Sequence, residues 1–309
     1  MRLQFPQSKG SSVFCALFLV ALFSTAKARG QVFVTDWLGG TVGEYSTSGE
    51  TINASLIKGL DFPDAVAVSG SYLYVANADN GTIGKYTTDG VEVNRALIKG
   101  LGVPYGIAVS GSDLYVTDKY KGTVGKYSTS GATINASLIT GFYQPLGIAV
   151  SGGALYVVHA GAVGAYTTEG QTINDHLVNG GINLLGPTGV AVSGSKLFVI
   201  SNATDSIGEY TTAGVPVNPT LISGIFNPYG IAVSGDDLYV TSDASPGYVG
   251  KYTTSGGTTD PSLFSVGSIP YGVAIASDTP EPTGVLWVGV GGMVLMSRRG
   301  RRGDHACGT

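Results

Sequence analysis

The chain has 309 residues, 48 of them Gly, and only 12% are charged, for a formal net charge of −4. Its two cysteines, Cys15 and Cys307, stand close to opposite ends, so neither a disulfide framework nor a cysteine-based metal site is expected between them. Residues 29–277 hold ten Lys plus Arg against eighteen Asp plus Glu, and an acidic surface of this kind disfavours nucleic acid and anionic lipid as partners.

In chain order, the first element is a targeting segment. Arg2 and Lys9 precede an apolar run from Val13 to Phe23, followed by Ala26-Lys27-Ala28, the small-x-small pattern read by a signal peptidase. The apolar run is too short to span roughly 30 Å of hydrocarbon. Residues 1–28 are therefore expected to be a signal peptide, cut after Ala28.

A repeat follows at once. The phrase Tyr-Ser/Thr-Ser/Thr-x-Gly recurs from Tyr45, Tyr86, Tyr127, Tyr166, Tyr210 and Tyr252, at spacings of 41, 41, 39, 44 and 42 residues by subtraction. A second phrase, Pro followed three residues on by Val/Ile-Ala-Val/Ile, starts at or near Pro63, Pro104, Pro145, Pro187, Pro228 and Pro270. A third, Leu-Tyr/Phe-Val, centres on Tyr74, Tyr115, Tyr156, Phe198 and Tyr239, with Val32-Phe33-Val34 as its first copy. A period near 40 residues is the signature of repeat architectures.

One unit shows the strands. Gly106–Val109 is a short apolar strand ended by the turn formers Ser110-Gly111-Ser112-Asp113. Leu114–Thr117 is a second strand, Thr123–Ser128 a third, and Thr133–Leu138 a weaker outer one. Four short antiparallel strands per unit predict a propeller blade. About six large apolar side chains per unit cannot offset the backbone entropy of ordering some 40 residues, so each blade must stack on its neighbours.

The first copy lacks a Pro-led strand before it, and the last such strand, Pro270–Ile275, has nothing after it. Joining the two ends predicts an all-β fold over residues 29–277: a six-bladed β-propeller of four-stranded antiparallel blades, closed by pairing of the N- and C-terminal strands. Closure also removes the open edges of a linear array. The wording Gly-Ile-Ala-Val, Leu-Tyr-Val-Thr-Asp and Val-Gly-Lys-Tyr-Ser-Thr-Ser-Gly, read from Gly106 to Gly131, is similar to NHL-type propeller repeats, except that Gly84, Gly125 and Gly164 stand where that family often has an arginine.

Antiparallel pairing brings the start of each first strand and the end of each second strand to one end of the ring. The first set is Asp64, Tyr105, Leu146, Thr188, Tyr229 and Tyr271; the second is Asp36, Asn77, Asp118, His159, Ser201 and Ser242. These two rings make the expected ligand face, with Asp36, Asp64, Asn77, Tyr105, Asp118, His159, Tyr229 and Tyr271 as its candidates. Lactonases of the gluconolactonase type gather oxygen ligands around an axial metal. The inner ring here has one carboxylate, Asp64, where a hard cation wants six to eight oxygens, so no metal and no cofactor is expected. Asp36 and Asp118 read as turn caps.

Virginiamycin-lyase-like propellers combine similar repeats with a catalytic histidine, which makes His159 the candidate general base, with Asp64 as the other catalytic candidate. Asp118 and Asn77 are the repeat-equivalents of His159, so drift in a polar loop explains it equally; His176 reads as solvated. Tyr105, Tyr229 and Tyr271 offer faces for sugar rings. The functional expectation is a non-catalytic binding module or scaffold, with polysaccharide or a surface protein as partner. A propeller enzyme, lactonase or virginiamycin-B-lyase-like, is the alternative.

The last element is a tail. Pro280-Glu281-Pro282 is followed by an apolar stretch from Gly284 to Met296 and then by Arg298, Arg299, Arg301 and Arg302. A helix over 283–297 reaches only about 22 Å, a marginal anchor with its arginines held at the cytoplasmic side. The three-part order over residues 278–309 resembles the PEP-CTERM sorting signal of Gram-negative bacteria. That resemblance implies exosortase as a partner, a transient inner-membrane stage through a short transmembrane helix, and release to the cell surface or extracellular matrix.

Overall fold

The computed structural model describes residues 30–179 and 184–276. The expected signal peptide, with Ala26 and Ala28, and the expected sorting tail lie outside the described residues. No helix among the described residues is long and apolar enough to cross a membrane.

Among the described residues, twenty-four strands form six four-stranded antiparallel sheets, the blades of a closed propeller. Five blades run straight through the sequence. The third, for example, is built from Pro104–Ser110, Asp113–Asp118, Thr123–Ser128 and Thr133–Thr140, innermost to outermost. The remaining blade is composite: Pro270–Ala276 lies innermost and is followed by Gln31–Asp36, Thr41–Ser46 and Thr51–Lys58. Val32 pairs with Ile275, Phe33 with Ala274 and Val34 with Val273, so both ends of the repeat region share one sheet.

Six apolar clusters hold the ring, and each lies between two consecutive blades. Phe33 packs with Leu73, Val75 and Tyr86 of the next blade. Its neighbours Val32 and Val34 pack the other way, with Tyr239, Val249 and Phe264 of the preceding blade. Side chains alternate across a strand, so a sheet covered on both faces needs an unbroken apolar run rather than an alternating one. That is why every second strand reads Leu-Tyr-Val or its equivalent.

The repeated phrases each have a local cause. The Ser/Thr after the phrase's tyrosine accepts the backbone N–H four residues on, at Ser46 from Glu50 (2.9 Å), Ser128 from Ala132 (2.9 Å) and Thr253 from Gly257 (2.8 Å). The glycine closing that turn has positive φ, as at Gly131 with 95°, a conformation that favours glycine. In the outer strands, Asn53 and Asn135 accept the N–H two residues on, at 3.1 and 3.0 Å, beside a register shift. In the third strands, a Cβ on Gly125 would lie 2.6 Å from the Tyr127 ring, and one on Gly43 2.8 Å from that of Tyr45. The tyrosine folds back over the glycine, which leaves no room for an arginine.

Candidate ligand face at the channel mouth

Five of the six innermost strands begin with proline, and in each of these the pairing with the second strand slips just after it; the innermost strand of the fourth blade is Ile148–Ser151. Pro104 pairs with Asp118, but the next paired residue is Ile107; the same slip separates Pro187 from Val190 and Pro228 from Ile231. Bulges of this kind re-aim a side chain. The residue after proline is thereby freed from the blade, and Asp64, Tyr105, Thr188, Tyr229 and Tyr271 line an axial cavity of about 90 Å³. Leu146, the sixth member of the expected ring, does not line this cavity; its carbonyl accepts from Thr117 Oγ1 at 2.6 Å.

Glycines make the axis narrow. A Cβ on Gly106 would meet the Leu146 carbonyl at 2.7 Å; one on Gly147 would meet that of Thr188, and one on Gly189 that of Tyr229, at the same distance. The ring is tight at these glycines.

Those aromatics form a continuous run. Tyr229 and Tyr271 stack with ring centres 4.4 Å apart and planes 27° from parallel. Trp37 lies 5.7 Å from Tyr271 and 4.7 Å from Phe62, and Tyr105 meets Tyr271 edge-on at 6.5 Å. Trp37, Phe62, Asp64, Tyr105, Lys119 and Tyr271 enclose a second, off-axis cavity of about 390 Å³ that shares Asp64, Tyr105 and Tyr271 with the channel.

Asp64 is the carboxyl shared by both cavities and is 8% exposed. Burial pushes its carboxyl from the ordinary 3.8 to about 7, against the opposing pull of the Lys119 ammonium and the Trp37 indole N–H that donates to it. The Tyr271 hydroxyl is pushed upward by burial and then by the neighbouring Tyr229. Near neutral pH the site therefore presents phenols and a carboxyl close to half protonation, each able to donate or accept a hydrogen bond.

The second expected ring lies at the same end of the molecule but inside it. Asp36, Asn77, Asp118 and His159 are all buried. Asp36 accepts backbone N–H groups from Gly39 at 3.0 Å, Ser268 at 3.0 Å and Ile269 at 3.2 Å; Asp118 accepts from Gly102 at 2.6 Å, Lys121 at 2.9 Å and Val103 at 3.1 Å. Both are caps that tie the incoming loop to their own blade. Ser201 does the same for Leu185 and Ser242 for Phe226. Asn77 donates to Thr82 at 3.3 Å, while its Oδ1 is buried with no partner.

His159 sits under Phe142, with ring centres 4.7 Å apart, and its Nε2 lies 3.0 Å from the Asp175 carbonyl and 3.2 Å from the Tyr166 hydroxyl. Burial lowers its pKa, with the Asp175 carbonyl and carboxylate pulling the other way. It does not line the axial cavity. His176 is solvated, with its side chain 55% exposed. Among the described residues, no three of His, Cys, Asp and Glu gather in a metal-holding group. Sequence reading placed Asp64 and the three tyrosines in one ring, but it missed Trp37, Phe62 and Lys119, which stand in loops of three different blades.

Comparison with known proteins adds the fold. No protein-family model matches the chain, and no curated protein matches it by sequence. Among solved structures, the chain is similar to one in a crystal structure of a nidogen/laminin complex, with 17% identity and a TM-score of 0.66 over 81% of this chain and 99% of that one. It is also similar to virginiamycin B lyase from Staphylococcus aureus, with 18% identity and a TM-score of 0.56 over 75% and 84% of the two chains. A streptogramin B lyase follows at 20% identity and a TM-score of 0.51, over 64% and 67%. At such identities the likeness establishes the propeller fold, and that fold hosts both binding proteins and enzymes.

Proposed function

We propose that this chain is a non-catalytic binding module that takes polysaccharide on its channel-mouth face and is displayed at the cell surface or in the extracellular matrix of a Gram-negative bacterium. The observation that carries the reading is the run Phe62–Trp37–Tyr271–Tyr229 beside the Asp64 carboxyl. Aromatic faces supply apolar contact area for the C–H faces of sugar rings, while phenols and a carboxyl satisfy their hydroxyls. The propeller in the nidogen/laminin complex belongs to a binding assembly, which agrees in kind. Display rests on the signal-peptide and PEP-CTERM resemblances, with signal peptidase, exosortase and the inner membrane as transient partners; the net acidic ring suits neither nucleic acid nor anionic lipid. Glycan-array binding that is lost in Tyr229→Ala and Tyr271→Ala supports this function, and no binding to any glycan refutes it.

A second reading is favoured by one observation. A carboxyl raised to about 7 in a cleft is suited to proton transfer near neutral pH, and two of the structural neighbours are lyases. This reading predicts turnover of a lactone or cyclic ester that vanishes in Asp64→Asn, whatever is done to His159.

A further inference from the structure

The off-axis cavity does not end at Lys119. Val103 and Lys119 also border a third cavity of about 470 Å³, lined further by Tyr120, Lys121, Phe142, Tyr143 and Gln144. The three cavities share walls in sequence, so a groove runs from the channel mouth across the third blade toward the fourth. Its outer two compartments each fall in the range of about 300–1,000 Å³ common to small-ligand sites.

Charge is unevenly spread along this groove. The inner compartment has Asp64 and Asp79 facing Lys119; the outer one has Lys119 and Lys121 and no carboxylate in its wall. A wall with two lysines and no carboxylate is unexpected on a ring whose sequence carries eight more acidic than basic residues. Lys119 is in no ion pair among the described residues, and its ammonium stands 5.5 Å from the centre of the Tyr105 ring. Lys121 donates to the Gly100 carbonyl and lies 3.9 Å from Asp118, a carboxylate already occupied by three backbone N–H groups. Its side chain is still 48% exposed. The aromatic rings beside them are open: Tyr120 is 83% exposed and Tyr143 72%.

Aromatic faces spaced along a groove, with carboxylates in the wall of its inner part and ammonium groups alone in that of its outer part, match a chain of sugar rings bearing carboxylates. We infer that the groove binds an acidic, uronate-containing polysaccharide, with a sugar ring on the Trp37–Tyr271 platform and a carboxylate between Lys119 and Lys121. This inference rests on the polysaccharide-binding function proposed above and names its ligand class. Bases and phosphates of a single-stranded nucleic acid combine the same two chemistries, but there every unit is charged, and the net negative ring favours a chain in which uronates are set among neutral sugars.

The test is titration calorimetry on the purified protein with four probes: a pentameric oligouronate, the same pentamer with its carboxyls reduced to alcohols, a neutral pentasaccharide and a single-stranded oligonucleotide. The expected result is at least tenfold tighter binding of the oligouronate than of its reduced form, an advantage that shrinks as salt rises. In Lys119→Gln/Lys121→Gln that advantage is lost, and an unchanged melting temperature certifies the fold. Equal binding of the oligouronate and its reduced form, or full oligouronate affinity in the double variant, overturns the inference but leaves the polysaccharide function standing. Oligonucleotide binding that displaces the oligouronate and outstrips it overturns the ligand class. Failure of every glycan to bind overturns both.

Discussion

Replacement of Asp64 by Asn tests the electrostatics of the site directly. Holding this carboxyl at about 7 rather than 3.8 means that its ionised form is disfavoured in the fold. At 1.36 kcal/mol per pH unit that cost is about 4 kcal/mol once both folded and unfolded forms are ionised. The sign follows from the direction of the shift. Below about pH 3.8 the carboxyl is protonated in both states and costs nothing; the cost grows as pH rises and is complete above about 7. Asn has nearly the same shape and keeps an acceptor for the Trp37 indole, but it loses the attraction of Lys119, so the net gain is smaller than that ceiling. Asp64→Asn should stabilise the protein by about 1–3 kcal/mol at pH 8, which for a domain of this size is roughly 2–12 °C in melting temperature. The gain should fade to about zero at pH 4. Thermal melts of both proteins from pH 4 to 8 measure it, and their difference cancels the titration of every other carboxyl. A gap that stays constant with pH, or a variant that melts lower at pH 8, refutes the assignment of a penalised charge at Asp64.

Four further outcomes follow from the same geometry. Gly106→Ala or Gly189→Ala places a Cβ 2.7 Å from the carbonyl of the adjacent innermost strand and should cost about 1–3 kcal/mol in urea unfolding, since the crowded axis cannot widen at one blade alone. Ending the chain before Pro270 removes the innermost strand of the composite blade and should give insoluble protein, where a merely linear array would stay folded. His159→Ala leaves a void under Phe142 and removes one of the two partners of the Tyr166 hydroxyl, and should cost about 2–4 kcal/mol while glycan affinity changes less than about twofold. Lys126→Ala strands Asp113 and Glu169, which lie 3.2 and 3.0 Å from the ammonium, and should lower stability by about 1–2 kcal/mol, read as a shift in denaturant midpoint.

The Lys126 case shows a pattern that was present in the sequence and yet unread. Where the second strand carries Tyr74, Tyr115 or Tyr239, the paired residue of the third strand is Lys85, Lys126 or Lys251, with its ammonium 5.4, 5.6 or 5.4 Å from the ring centre. Where Phe33 or Phe198 stands instead, the partner is Glu44 or Glu209. A cation over a phenol ring is favourable, and the lysine also reaches the next blade: Lys85 donates to the Thr129 carbonyl at 3.0 Å. The alternation marks cross-strand neighbours, but only once the register is known.

The number of blades, their four strands and the closure of the ring could be read from the sequence alone, because each repeated phrase answers to chemistry within a few residues. Tyr127 needs Gly125 beneath it, Ser128 needs the N–H of Ala132, and an unpaired Pro-led strand at one end needs the strands at the other. The ligand face was legible only in part. Asp64, Tyr229 and Tyr271 share a repeat position, and repetition is visible in one dimension. Which ring faces the channel was decided by the slip after the proline in five blades, which turns one ring outward, and by the incoming loops, whose N–H groups bury Asp36 and Asp118. Trp37, Phe62 and Lys119 lie outside the repeated phrases, in loops of three blades, and only closure of the ring sets them around one carboxyl. A contact among residues that far apart in sequence leaves no local periodicity, so tertiary structure alone could reveal it.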